Sequence, residues 1–200
     1  MNSRVTAAVE RALDDRQRGA TEEVERILAA AVRVMARVAP EAPRVSDIVT
    51  EAGSSNKAFY RYFAGKDDLI LAVMERGVAI VVSYLQHQMA KESRPEDKVV
   101  CWIEGALAQV ADPHLISMSR AAAGQMSNWR AADREMLRTL RDLLVEPVTA
   151  LGSTDADRDV EAVYGCTVAL MRRYVGSADR PARKDIEHLV RFCLLGLGVG

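Results

Sequence analysis

Asn56, Lys57 and Tyr60 stand at i, i+1 and i+4 of a short segment, and together they carry the chemistry of base recognition. An asparagine amide matches the edge of adenine, and a lysine ammonium reaches a guanine edge or a phosphate. Tyr60 and Tyr62 offer hydroxyls to phosphate and ring faces to thymine methyls. Phe59 and Phe63, four residues apart, share a different face and are expected to pack inward on Ile48 and Val49. Lys66 follows Gly65 at the head of a new helix, where backbone N–H groups and the ammonium both favour a phosphate. Arg44 and Ser46 open the preceding short helix, which would lie across the nucleic-acid backbone. Lys57, Arg61 and Lys66 have no acid between them. Such a local basic patch suits a protein that reads a site rather than one that coats DNA. The ordinary alternative is that Tyr60 and Tyr62 are core aromatics and Lys57 is merely solvated.

The elements that must hold these side chains are legible as helices. Val45, Ile48, Val49 and Ala52 predict one short helix ending at Gly53, a turn position that needs a positive φ. Ser55 is placed to cap the next, which runs over about 56–63. Two short helices joined by a glycine-containing turn form a helix-turn-helix, whose second helix enters the major groove. Upstream, Gly19-Ala20-Thr21 predicts a break with Thr21 as a cap. Val24, Ile27, Leu28, Ala31, Met35 and Val38 then follow the 3.6-residue period. This helix should stop near Ala39-Pro40, because the residue before a proline avoids the helical region. Residues 1–20 read either as a frayed tail or as a basic arm that touches DNA. From Lys66 to about Ala90 the pattern predicts a long helix with Leu69, Val73, Ile80, Tyr84 and Leu85 inward. Further helices are expected over about 95–111, 112–128, 131–151 (bent near Pro147), 157–175 and 183–197.

The run from Ile48 through Ala52-Gly53 and Phe59-Tyr60-Arg61-Tyr62-Phe63 to Lys66, two acids and Leu69 resembles the DNA-binding domain of TetR-family transcriptional regulators. The resemblance is clear over about residues 21–75. It implies DNA contacts at Arg44, Ser46, Asn56, Lys57, Tyr60, Tyr62 and Lys66. Departures stand at Ser54, Arg44 and Ala39-Pro40, where many relatives have an apolar residue, a threonine cap and a glycine-aromatic connector. The implied fold is all-α: an N-terminal three-helix helix-turn-helix domain and a C-terminal helical ligand-binding and dimerisation domain, about nine helices in all. The expected division is an N-terminal arm at 1–20, a DNA-binding domain at 21–66 and a regulatory domain at 67–200.

Two stripes in the last helices suit a dimer contact. Ala162, Gly165, Cys166 and Ala169 are small enough for close helix approach, and Ile186, Leu189, Val190, Cys193 and Leu197 form an apolar row. The resemblance implies that two such helices per subunit pair into a four-helix bundle. The alternative is that both stripes pack within the monomer. Trp102, Met118, Met126, Trp129 and Tyr164 lie among small residues such as Gly105 and Ala108. They read either as ordinary core or as the wall of an effector cavity, which the resemblance implies.

With 49% hydrophobic and 28% charged residues, the chain can bury a core, and its net charge of −1 argues against indiscriminate DNA coating. His87, His114 and His188 have none of the spacings of a helical metal site, and no nucleophile elbow or phosphate loop occurs. Neither an enzyme nor any cofactor or metal is therefore expected. Cys101, Cys166 and Cys193 are far apart and odd in number, which predicts free buried thiols in a reducing compartment. No signal core or long apolar run is present, so a cytoplasmic protein without membrane contact is expected. The expectation is a sequence-specific DNA-binding regulator, a homodimeric repressor released from a palindromic operator by a small, largely apolar ligand. The rival is a helical ligand-sensing or partner-binding protein that does not bind DNA.

Overall fold

The structure, a computed structural model, describes residues 3–38, 41–111, 132–175, 177 and 179–199. Among these residues every regular element is helical. The chain divides into two compact units, Met1–Val73 and Met74–Gly200.

The first unit begins with α1 (Arg4–Val38). The break predicted at Gly19–Thr21 does not occur. Thr21 is no cap, since its hydroxyl donates to the carbonyl of Gln17 at 3.0 Å within the helix. A single glycine costs a helix only about 1 kcal/mol relative to alanine, and the good helix formers around Gly19 override it. The C-terminal half of α1 buries Ile27, Leu28, Ala30, Ala31, Val34 and Met35, an unbroken helical stripe. α2 (Val45–Glu51) packs against α1, and α3 (Asn56–Tyr62) packs on α2. Arg33 and Arg37 of α1 donate to Glu51 at 2.8 and 3.3 Å, which ties α1 to the end of α2.

The turn between α2 and α3 is a Schellman motif. Ser54 N–H donates to the carbonyl of Val49 at 2.9 Å, and Gly53 N–H donates to that of Thr50 at 3.2 Å. Gly53 has φ +60° with open space where a Cβ would stand. Gly53→Ala is therefore expected to cost only the left-handed backbone penalty, about 1–2 kcal/mol. Denaturant unfolding of the variant should show a loss of that size; an unchanged midpoint would mean that the turn does not require glycine.

α4 (Lys66–Met89) starts in the first unit and continues into the second. In the first unit it buries Leu69, Ile70 and Val73. In the second its inward side chains are Val81, Leu85 and Met89. Ile80 and Tyr84, expected inward, are instead exposed. A single periodic stripe predicts both inward, whereas the side chains that α4 buries near its start and near its end lie on different faces of the helix.

At the centre of the second unit is α5 (Pro95–Ala111), which buries Val99, Trp102, Ile103, Ala106, Leu107 and Val110. A 3₁₀ segment (Ala132–Leu137) leads into α6 (Arg138–Asp142), then α7 (Val145–Ala150), α8 (Ala156–Val175) and α9 (Arg183–Gly196). Over 132–151 the chain therefore forms short pieces, not one bent helix. Pro147 explains the last break: a proline is tolerated in the first turn of a helix, where its missing N–H has no partner to lose. Arg141 of α6 pairs with Glu161 and, at 3.2 Å, with Asp157, which fastens α6 to α8. Tyr174 of α8 donates its hydroxyl to Asp185 of α9 at 2.9 Å. The helix expected over 112–128 lies outside the described residues.

Candidate nucleic-acid interface

α3 has two sharply different faces. Ala58 and Phe59 are buried, Phe59 fully at 0% exposure, and Phe63 is buried just past the helix end. Tyr62 is half-buried on the same side. Asn56, Lys57, Tyr60 and Arg61 are exposed and share the opposite side, Tyr60 at 60% exposure. Tyr60 stands edge-on against Phe59, with ring centroids 5.1 Å apart, so the buried phenylalanine orients the exposed tyrosine. Ser55 caps the helix, its hydroxyl accepting from Ala58 N–H at 3.2 Å. The outward face thus holds an amide, a phenol and two cations, the donor set for a groove edge and its flanking phosphates.

The remaining candidates differ in availability. Arg44 and Ser46 are exposed at the start of α2. Arg44 occupies the cap position without a side-chain hydrogen bond. Lys66 is half-buried as the first residue of α4. The nearby backbone is partly engaged, since Ala64 N–H donates to Asp68 at 2.8 Å. Tyr62 donates its hydroxyl to Glu23 of α1 at 2.8 Å, so a phosphate would have to compete for it. Ser54, one of the departures noted above, donates to the other oxygen of Glu23 at 3.3 Å. The bond from Tyr62, with help from Ser54 and Arg61, holds the Glu23 carboxyl below the usual carboxylate range against the opposing effect of burial.

Arg61, a member of the local basic patch, joins this outward face in addition to the expected DNA-contacting residues. Helical phase was the available signal: Arg61 is four residues after Lys57, on the same face. No such signal marks Glu23. Its partners lie 31 and 39 residues away in sequence, and no local pattern encodes that pairing.

The second unit bears on the other expectations. Trp102 is 1% exposed, and its Nε1 donates to the carbonyl of Leu140 at 2.9 Å. Its ring lies 6.1 Å from that of half-buried Tyr164. The space beside Gly105 is taken by Leu85, whose Cδ2 stands where a Cβ would be. Met118, Met126 and Trp129 lie outside the described residues. A cleft of about 400 Å³ between α4 and α5 is lined by residues including Tyr84, Glu92, Cys101 and Glu104.

On α8, Ala162, Gly165 and Ala169 are exposed and Cys166 is half-buried. On α9, Leu189 and Cys193 turn into the protomer's own core, with Ile186, Val190 and Leu197 half-buried against it. The exposed apolar side chains of α9 are Phe192 and Leu195, each at 60%, neither of them anticipated. The three cysteines are free, and burial pushes the Cys193 thiol up to about 11. Among the described residues no cluster suited to a metal ion occurs, and no helix is long and apolar enough to cross a membrane.

A helix-turn-helix of this build, followed by a larger helical unit, defines the architecture of TetR-type transcriptional regulators. Residues 27–73 match the model of the bacterial regulatory proteins of the tetR family, so the N-terminal unit carries that family's domain. Over most of the chain the fold is shared with solved structures of low sequence identity. The regulator FadR from Bacillus subtilis in complex with stearoyl-CoA is 18% identical with a TM-score of 0.70, over 86% of this chain and 96% of that one. A Saccharomonospora viridis protein in complex with choline is 18% identical with a TM-score of 0.67, over 89% and 96%. A regulator from Aquifex aeolicus is 18% identical with a TM-score of 0.59, over 88% and 98%. No curated protein sequence matches the chain.

Proposed function

We propose that the chain is a sequence-specific DNA-binding transcriptional regulator, in which residues 21–66 read DNA and residues 67–200 sense a ligand and dimerise. One observation carries this reading: Asn56, Lys57 and Tyr60 face outward from α3 while Phe59 anchors it from within. One such helix covers only a few base pairs, so a homodimer on a palindromic operator follows, with half-sites about 34–36 Å apart. Selecting bound duplexes from a random pool and footprinting the product should give a palindromic protected site. Failure to enrich any sequence would end the proposal.

The dimer contact we assign to the exposed face of α8 and α9. Ala162, Gly165 and Ala169 allow close approach, and Phe192 and Leu195 supply the apolar area. Leu189 and Cys193 back that face from inside the protomer. Placing aspartate at both Phe192 and Leu195 should convert a species of twice 22.0 kDa into one of 22.0 kDa in light scattering. A double variant that keeps the wild-type mass would remove this face from the assembly.

Repression relieved by a small, largely apolar ligand completes the proposal. Relatives of the same fold hold stearoyl-CoA and choline. The two share little chemistry, so the fold alone does not dictate the effector. A ligand can release the protein from DNA only by its differential affinity for two states of the regulator. Of the side chains expected to wall an effector site, Trp102 and Tyr164 are described, and both pack in the core of the second unit.

A further inference from the structure

Glu23 belongs to α1, outside the helix-turn-helix itself, yet three of its contacts are with that motif. Its Oε2 accepts the hydroxyl of Tyr62 at 2.8 Å, near the end of α3. Its Oε1 accepts the hydroxyl of Ser54 at 3.3 Å, in the turn between α2 and α3. The guanidinium of Arg61 lies 3.8 Å from Oε2 and 5.6 Å from the Tyr62 ring centroid. One carboxylate therefore grips the turn before the groove-facing helix and the last turn of that helix. A rigid body held near both ends cannot roll about its axis, and the roll of α3 decides which side chains meet base edges. The carboxylate also stands beside Arg61, an exposed cation on the outward side. Ser54 fits this arrangement, because an apolar side chain there would leave Oε1 without its donor.

We propose that Glu23 is a positioning and specificity residue: it fixes the roll of α3 and restrains Arg61, so that sequence discrimination rises at the expense of general phosphate attraction. This inference rests on the DNA-binding reading above. Its signature differs from that of a merely structural contact, because loss of Glu23 should weaken specific binding while non-specific binding holds or increases.

The test uses the full chain, a duplex enriched by the wild type from a random pool, and a random-sequence duplex of equal length. Glu23→Ala should bind the enriched duplex at least tenfold more weakly. Its affinity for the random duplex should be equal or higher, with a salt slope steeper by about one as Arg61 is freed for a phosphate. Glu23→Gln retains an acceptor for Tyr62 and a partner for Ser54 but loses the charge beside Arg61, so it should keep affinity for the enriched duplex within about threefold of wild type while its salt slope steepens as in Glu23→Ala. Tyr62→Phe should cost several-fold alone but less than twofold in the Glu23→Ala background, since the two residues act as one unit. Unaltered discrimination in Glu23→Ala would overturn the inference, as would an equal loss on both duplexes. If the wild type enriches no duplex, the DNA-binding reading fails and this inference with it.

Discussion

Truncating Phe59 to alanine should destabilise the N-terminal unit by about 3–5 kcal/mol, the cost of emptying a fully buried aromatic site. Phe59 is 0% exposed, packs 5.6 Å from Phe63 and supports Tyr60 from beneath. A total stability of about 5–15 kcal/mol is usual for a domain, so the loss is a large fraction of what holds α3 in place. Hydrogen exchange reads the effect locally. Amides of α2 and α3 should lose protection by a factor of about 100 or more in Phe59→Ala. Amides of α5, which pack around Trp102 in the other unit, should be much less affected. Phe59→Leu should retain more of the protection, because it leaves a smaller cavity. Undiminished protection of α3 in Phe59→Ala would mean that the phenylalanine is not what anchors the helix.

The second large effect is on DNA. Lys57 and Tyr60 are exposed, so their replacement leaves the core intact and reports on binding. Lys57→Ala should weaken binding to the operator by about 1–3 kcal/mol if the ammonium meets a guanine edge. If it meets a phosphate instead, the loss should be similar across sequences and the salt slope should fall by about one. Tyr60→Ala should cost about tenfold in affinity. It also forfeits the edge-on ring pair with Phe59, worth about 0.5–1.5 kcal/mol of stability. Titrations of each variant at several salt concentrations distinguish these cases. Affinity unchanged in both variants would favour a helical sensor without DNA binding.

What the sequence made legible follows the range of the forces involved. The α2–turn–α3 unit is local: a positive φ at Gly53, a cap at Ser55 and two phenylalanines four apart each act over a few residues. Those expectations hold in the structure. Errors arose where a local rule met a longer context. Gly19 suggested a break, but one glycine among strong helix formers does not end α1. Ile80 and Tyr84 fit a single stripe on α4, but the helix changes its buried face between the units. Leu189 and Cys193 of the expected intersubunit row are a different case, because periodicity identifies an apolar face without saying what covers it. The structure places both in the protomer's own core and leaves Phe192 and Leu195 outside. Glu23 lies at the far limit, because nothing near residue 23 in the chain announces Ser54 or Tyr62.

The central claim is that the outward face of α3 reads bases, and changing one reader tests it most directly. Binding sites selected independently by the wild type and by Asn56→Ala should differ at one base position in each half-site, where the preference for a particular base disappears. The other positions should keep theirs. Identical selected sites, or a preference lost evenly at every position, would contradict base reading by this face.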